Sequence, residues 1–268
     1  MARSVRHSPR LLRSLLPLSL LAVLFLALPL VGLLQGVRWT SLLSDLAAPQ
    51  AREALGLSLL SSLLATALAL LLGLPLAWSL ARERFPGREL VRALVILPMV
   101  LPPVVGGLAL LGAYGRSGGL IGGWLHQALG VQLTFSLAGV VVAQTFVALP
   151  FLVLAVEGGL RGIDPRYEQA AATLGAAPLA CFLRVTLRLL LPSLAAGTAL
   201  AWARALGEFG ATITFAGNIE GRTQTAPLAV YLLLESQPAA AYALSFALVL
   251  LSLAVIIGLR GRWWSLGR

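Results

Sequence analysis

The chain has 268 residues, of which 59% are hydrophobic and only 11% are charged, and its formal net charge is +10. So few charged residues cannot cover a water-soluble domain, which excludes the soluble globular classes and indicates an integral membrane protein. All the basic residues are arginine, which excludes a phosphate-binding P-loop, because its motif requires lysine. Any work driven by nucleotide hydrolysis therefore needs an ATPase on another subunit.

Six apolar segments are each about long enough to cross a bilayer, which takes roughly 20 residues. Lipid offers no partner to an unpaired backbone polar group, so these segments are predicted to be helices of an all-α membrane bundle. The predicted spans are residues 15–34, 55–80, 91–113, 133–156, 189–206 and 239–259. We divide the chain into an N-terminal tail (1–14), a first span with its outer loop (15–53), a transmembrane core (54–260) that contains the loop 158–188, and a C-terminal tail (261–268).

Arginine is distributed unequally between the two sides of the predicted bundle. Fifteen arginines lie on the side that holds both termini and the loop 158–188, four lie on the opposite side, and Arg204 lies within a span. Cytoplasmic loops carry an excess of basic residues, so both termini and this loop are predicted to be cytoplasmic. Topology and attraction to lipid headgroups then account for the positive charge, and no nucleic-acid partner is predicted.

The first 34 residues are compatible with a secretory signal peptide, but an uncleaved span is the preferred interpretation. The apolar run exceeds a usual signal-peptide core, and no convincing small-residue cleavage site follows it. The single cysteine, Cys181, excludes an internal disulfide and a thiolate metal cluster. No metal or cofactor site is expected. His7, in the basic tail, is expected to have no chemical role.

Proline interrupts the third predicted span between residues 97 and 107. Pro98, Pro102 and Pro103 each lack an amide hydrogen and crowd the preceding turn, so the helix is predicted to kink or break here. In a transporter such a break lets helices diverge around a pathway. A kink that is simply packed against neighbouring helices is the alternative.

The outer loop that follows contains Gly115-Arg-Ser-Gly-Gly119, which matches the G-x-S-x-G nucleophile pattern. That motif needs a strand–turn–helix setting with a positioned histidine and acid. This loop has no acidic residue, and only His126 is nearby, so an intramembrane hydrolase is a weak alternative. His126 is predicted to be a solvated interfacial residue.

Charged residues are rare within the predicted spans. Glu157 is predicted to reach water at the end of the fourth span. Arg204 and Glu208 are four residues apart and can pair on one helix face, either as a functional site or as an ion pair that sets helix packing near the outer surface. The connector 209–231 is too polar to span and too apolar for a free loop. It is predicted to dip into the membrane, to cap the bundle from outside or to contact an outer partner.

The loop 158–188 concentrates charge between two apolar spans and has the pattern of a short helix. Asp164 is a suitable N-cap acceptor and Pro165 suits the first helical position. Gly175 stands where a helix would end, and a second helix is predicted to start at Pro178. Ala170 and Ala171 present only methyl groups, so another protein's surface can approach this face closely. We interpret the helix as a docking element.

This loop resembles the signature cytoplasmic loop of the permease subunits of ATP-binding-cassette (ABC) importers, in which E-A-A is followed by three residues and a glycine. When this pattern is aligned on Gly175, its E-A-A positions are occupied by Gln169, Ala170 and Ala171. The glutamate therefore stands one place early, at Glu168, and Arg188 replaces the downstream proline of the pattern, although Pro192 follows. The resemblance covers roughly residues 54–260. It implies a type I ABC importer permease fold with six transmembrane helices and cytoplasmic termini.

A second stretch narrows the resemblance to molybdate permeases. It comprises residues 204–218 (RALGEFGATITFAGN) and 221–231 (GRTQTAPLAVY), together with 101–106 (LPPVVG). Sulfate permeases share Gly207 and Glu208 but usually diverge in the residues that follow. A permease for sulfate or tungstate is therefore the close alternative. An ion-coupled transporter or channel, which would work without an ATPase, is a more distant one.

The resemblance also implies partners and a mechanism. Two copies of the chain form the pathway in the cytoplasmic membrane of a prokaryote, two cytoplasmic ABC ATPase subunits dock on them, and an external binding protein delivers the oxyanion. The chain itself is not an enzyme, and nucleotide-driven motion of the docked helices alternates access to the pathway. The coupling residues are Asp164, Glu168, Gln169, Ala170, Ala171 and Gly175. Oxyanions favour backbone N–H groups, hydroxyls and helix N-termini. The candidate outer-face or pathway residues are Arg204, Glu208, Thr212, Thr214, Thr223 and Thr225.

Overall fold

The described part of the chain, residues 9–265 of a computed structural model, consists of helices joined by short turns and contains no β-strand. The helices are α1 (Pro9–Gly36), α2 (Leu42–Ala47), α3 (Pro49–Arg82), α4 (Arg88–Val100), α5 (Pro103–Tyr114), α6 (Gly122–Leu129), α7 (Leu137–Gly162), α8 (Arg166–Thr173), α9 (Pro178–Cys181), α10 (Leu187–Leu206), α11 (Gly210–Phe215), α12 (Ala226–Ser236) and α13 (Pro238–Ser265). A π-helical turn, Phe182–Thr186, connects α9 to α10. The start of the predicted N-terminal tail, including His7, and the end of the C-terminal tail lie outside the described residues.

Five helices among these residues are long and apolar enough to cross a membrane. They are Leu16–Gly36, Pro49–Arg82, Leu137–Gly162, Pro178–Leu206 and Pro238–Val255, which correspond to the first, second, fourth, fifth and sixth predicted spans. The third predicted span is divided into α4 and α5, of 13 and 12 residues. Each is only about 20 Å long, which is too short to cross a hydrocarbon core of about 30 Å alone. The count of six spans, the domain limits and the cytoplasmic position of the termini stay predictions.

The predicted interruption of the third span is confirmed between α4 and α5. Leu101 and Pro102 have extended backbones, with ψ of 137° and 133°. Pro103 then starts α5, where its missing amide hydrogen removes no helical bond. The break brings α5 close to α11, since a Cβ on Gly107 would lie 3.0 Å from the carbonyl oxygen of Ala211. The prolines therefore redirect the chain so that α5 packs closely on a second short helix.

The centre of the bundle is α7, which packs against α3 on one side and α10 on the other. In its most apolar window 61% of the residues are buried, whereas none are buried in that of α1. Small residues allow the close approach: a Cβ on Gly73 of α3 would lie 3.0 Å from the Leu152 side chain, and one on Gly197 of α10 would lie 2.9 Å from Ala155. Both α3 and α10 are therefore in close contact with α7, whereas α1 lies at the periphery.

Candidate functional site

The loop 158–188 forms two short helices with a turn between them, as its sequence predicts. The amide of Arg166 donates to Asp164 Oδ1 at 2.9 Å, so Asp164 caps α8, which starts one residue later than expected, after Pro165. Gly175 has a φ of +81°, and its amide donates to the Ala172 carbonyl at 2.9 Å, which ends the helix. The second helix, α9, starts at Pro178.

Apolar side chains are exposed on and beside α8, where no residue is buried. Gln169 and Ala170 are exposed, and Ala171 is half-buried. The Leu174 residue is 88% exposed, and Tyr167 and Leu179 are exposed as well. Exposed apolar groups clustered at one place indicate contact with another surface. The sequence interpretation rested on the alanines and missed these three residues, which an apolar pattern within an otherwise polar segment would have indicated.

Glu168 faces the other way, toward the helices of its own chain. Its Oε1 accepts hydrogen bonds from Arg82 Nη2 at 3.1 Å and from Thr186 Oγ1 at 2.9 Å. Arg82 is the last residue of α3, and Thr186 ends the π-helical turn. Glu168 is therefore separated from Gln169 and Ala170, with which the signature pattern groups it.

The prediction that Glu157 reaches water is wrong. The residue lies within α7, is 4% exposed, and its Oε1 accepts hydrogen bonds from Arg92 Nη2 and Arg161 Nη2, each at 2.7 Å. Arg92 also donates to Glu89 at 2.7 Å. A carboxylate can remain ionised when buried if it is paired and hydrogen-bonded, and here the two arginines meet that condition. The network ties α4 to α7.

The predicted pairing of Arg204 with Glu208 is confirmed. Arg204 Nη1 lies 2.6 Å from Glu208 Oε2, and the Glu208 side chain is 1% exposed. The other carboxylate oxygen accepts a hydrogen bond from the amide of Ala211 at 2.7 Å. Since α10 ends at Leu206, Glu208 lies in the turn before α11. The carboxylate thus both neutralises Arg204 and caps the short helix α11.

The connector 209–231 is folded against the bundle, and its threonines are largely enclosed. Thr212, Thr223 and Thr225 are fully buried, whereas Thr214 is half-buried. Thr223 Oγ1 accepts from the Ile219 amide at 2.9 Å and Thr214 Oγ1 donates to the Gly210 carbonyl at 2.8 Å. The hydroxyls of Thr212 and Thr225 have no hydrogen-bond partner within residues 9–265. The role of these threonines in a pathway stays a prediction.

A buried glutamine on α7 was missed by the sequence interpretation. Gln144 is fully buried, and neither polar atom of its carboxamide has a hydrogen-bond partner in the described residues. One signal was available, since an amide side chain is unusual in the middle of an apolar span. Gln144 adds a polar group to the central helix of the bundle.

The hydrolase alternative has no structural support in the part of the chain that the structure describes. Gly115 to Gly119 form the turn between α5 and α6, with no strand before it. His126 lies in α6 and is half-buried, and its Nδ1 is inaccessible and has no hydrogen-bond partner among the described residues. Its position as a solvated interfacial residue stays a prediction. No group of three or more His, Cys, Asp or Glu residues that could bind a metal occurs among residues 9–265.

The described residues form a bundle of apolar helices long enough to cross a membrane, with a short exposed helix, α8, between α7 and α10, an arrangement that suits a membrane permease subunit. Residues 69–262 match the family described as "Binding-protein-dependent transport system inner membrane component". The chain belongs to this family, the permeases of ABC importers. It is therefore a multi-pass inner-membrane transport subunit rather than an enzyme, and ATP hydrolysis belongs to a different subunit.

Individual relatives support the same assignment. The chain is 47% identical over 240 residues to the "Molybdenum transport system permease protein ModB" of Mycobacterium tuberculosis, which covers 90% of each chain. It is 37% identical over 219 residues to the "Sulfate transport system permease protein CysT" of Escherichia coli, which covers 81% of this chain and 78% of the relative. The fold is shared with a chain in the crystal structure of a bacterial alginate ABC transporter, at a TM-score of 0.72, 19% identity and coverage of 93% and 92% of the two chains.

Proposed function

We propose that this chain is the permease subunit of an ATP-driven molybdate importer. The observation that carries the proposal is the 47% identity, over nine-tenths of both chains, to a protein named for molybdenum transport. Identity to the sulfate permease is lower, at 37%. The segments 101–106, 204–218 and 221–231, whose sequences resemble molybdate permeases, include the start of α5, the end of α10, α11 and the first part of α12, and two of these helices, α5 and α11, pack closely on each other.

In this proposal two copies of the chain form the pathway, and each receives a cytoplasmic ATPase subunit on α8. The exposed side chains of Tyr167, Leu174 and Leu179 support an apolar docking surface, to which Gln169 and Ala170 add small, accessible contacts. An eight-residue helix is about 12 Å long, which suits insertion into a groove as a rigid body. Asp164 and Gly175 fix the two ends of that helix.

Motion of the docked helix would reach the membrane through α9 and the π-helical turn, which continue directly into α10. Since α10 packs along α7 through Gly197 and Gly159, a displacement at α8 would shift the central helix. Nucleotide-driven closure of the two ATPases would in this way switch the pathway between its inward-facing and outward-facing forms. An external oxyanion-binding protein would deliver the substrate to the outer face.

Among the candidate pathway residues, we assign the outer-face role to Arg204 and Thr214. Both retain accessible surface, and the Arg204 side chain is 30% exposed. A guanidinium has five N–H donors, so Arg204 can donate to a tetrahedral dianion while it pairs with Glu208, whereas the Thr214 hydroxyl must first release the Gly210 carbonyl to which it donates. For Glu208, Thr212, Thr223 and Thr225, which are buried in the single chain, we propose a supporting role that holds the connector against the bundle.

Competition uptake tests the substrate. The permease, its ATPase and its binding protein would be reconstituted in vesicles, and ATP-driven uptake of labelled molybdate would be measured against unlabelled molybdate, tungstate and sulfate. We expect sulfate to need at least about tenfold higher concentration than molybdate for half-inhibition, a difference of about 1.4 kcal/mol. Sulfate competing as well as molybdate would favour the sulfate permease, the second candidate. Tungstate competing equally would make the two oxyanions shared substrates.

A further inference from the structure

The docking helix α8 has few means of attachment to the bundle. No residue of α8 is buried, so apolar packing does not fix its position. The contact that crosses to other helices is made by Glu168, whose Oε1 is shared by Arg82 Nη2 at 3.1 Å and Thr186 Oγ1 at 2.9 Å. The Cys181 thiol lies 3.7 Å from the Glu168 carbonyl oxygen, which adds only a weak hydrogen bond.

We propose that Arg82, Glu168 and Thr186 form a clamp that makes α8 move as one body with the cytoplasmic end of α3. The inference rests on the proposed docking of an ATPase at α8, and it gives Glu168 an intramolecular role rather than one in the docking surface. All three are positioning residues. Without the clamp α8 would remain docked but would turn or slide against α3, and part of the ATPase motion would not reach the membrane helices.

The environment of the three side chains favours a fixed geometry. Arg82 and Glu168 have side chains only 19% and 25% exposed, so solvent screens the ion pair less than it screens a surface pair. Thr186 is buried, and a guanidinium at the C-terminal end of α3 also interacts favourably with the helix dipole. Glu168 Oε1 therefore accepts hydrogen bonds from two separate elements, α3 and the π-helical turn. The fold holds both of these elements in place.

The clamp connects α8 to both helices that pack on α7. Arg82 belongs to α3, and Leu80, two residues earlier, is fully buried in the core that α3 shares with α7. Thr186 immediately precedes α10. The π-helical turn that ends at Thr186 is an irregularity of a kind often found at functional sites, and here it aligns the hydroxyl with Glu168. A displacement of α8 would therefore act on α3 and α10 together.

Hydrogen exchange in the purified full-length permease, without ATPase, tests the clamp itself. Glu168→Gln, Arg82→Gln and the double variant would be compared over sub-second to second exchange times. We expect amides of residues 166–173 to exchange at least about threefold faster in each single variant. The double variant should exchange no faster than the singles, and α7 should be unchanged. Unchanged exchange in α8, or additive effects, would overturn the proposal.

Glu83→Gln is the matched control, because it removes the same charge one residue from Arg82. Glu83 is exposed and forms no ion pair within the described ranges, so we expect exchange of α8 as in the unmodified protein. Thr186→Val, which keeps the shape and removes the donor, should give an intermediate increase. Faster amide exchange of α8 in Glu83→Gln would show that the net charge near the end of α3, rather than the clamp, determines the exchange rate of α8.

The reconstituted complex then tests the role of the clamp in transport. Glu168→Gln should retain the ATPase during purification to within about twofold, while the ATP hydrolysed per molybdate ion imported rises at least about threefold. Loss of the ATPase in this variant would place Glu168 in the docking surface and refute the clamp. If the unmodified complex imported no oxyanion with ATP, the proposed function would fail, and the exchange measurements would still decide the clamp.

Discussion

Replacing Gly175 with tryptophan is expected to lower ATP-driven oxyanion uptake at least about tenfold, the effect of losing about 1.4 kcal/mol at an interface. Gly175 follows the proposed docking helix α8 with a φ of +81°, and a Cβ added to it would meet no atom of the described residues within 4 Å, its two chain neighbours apart. The indole would therefore extend into the space that the ATPase surface needs. The measurements are uptake into vesicles and the amount of ATPase that co-purifies with the permease, both of which should fall.

Gly87 provides the control, because it has the same φ of +81° and the same open space in a different connection, between α3 and α4. Gly87→Trp imposes a similar backbone cost, about 1–2 kcal/mol, outside the connection that contains α8. We expect it to retain most of the uptake. Equal losses in the two variants would mean that backbone strain is responsible, and unchanged uptake in Gly175→Trp would refute docking at α8.

Replacing Glu208 with alanine is expected to destabilise the folded permease by about 3 kcal/mol, the low end of the cost of breaking a buried ion pair. The low end applies because the Arg204 side chain is 30% exposed and can be partly hydrated. The substitution also removes the acceptor for the Ala211 amide. For a chain of this size the apparent Tm should fall by about 6–12 °C, which a thermal unfolding scan of the purified protein in detergent would measure.

Two further variants separate charge from capping in this region. Glu208→Gln keeps an acceptor oxygen for Ala211 and removes the charge, so its Tm should lie between those of the unmodified protein and Glu208→Ala. Glu220→Ala removes an exposed carboxylate from the same connector and should leave the Tm unchanged. An unchanged Tm in Glu208→Ala together with reduced uptake would contradict the structural role and favour a pathway role for the pair.

Features fixed by neighbouring residues were predictable from the sequence. The limits of α8 follow from the cap at Asp164 and from the positive φ of Gly175, because both act on amides within a few residues. The break before Pro103 follows from the missing amide hydrogens of consecutive prolines. Arg204 and Glu208 are four residues apart and do pair, although Glu208 lies in the turn after α10 rather than on the same helix face. In each case the physical cause lies within one or two helical turns of the residue concerned.

Features that depend on distant residues were not predictable in this way. Glu157 is buried because Arg92, 65 positions earlier, reaches it from α4, and nothing near Glu157 in the sequence indicates that partner. The inward direction of Glu168 depends on Arg82, 86 positions earlier. The signature pattern places Glu168 among the docking residues, whereas in the folded chain it has two hydrogen-bond partners, Arg82 and Thr186. The enclosure of Thr212 and Thr225 likewise results from tertiary packing of the connector.

Dependence of molybdate uptake on the ATPase distinguishes an ATP-driven permease from a transporter that works alone. Vesicles would contain this permease with or without its ATPase, with the binding protein and labelled molybdate on the side opposite the ATP. We expect uptake to require ATP and the ATPase together, since a chain without lysine has no P-loop. Equal molybdate flux through the permease alone would refute the proposed function and identify an ion-coupled transporter or a channel.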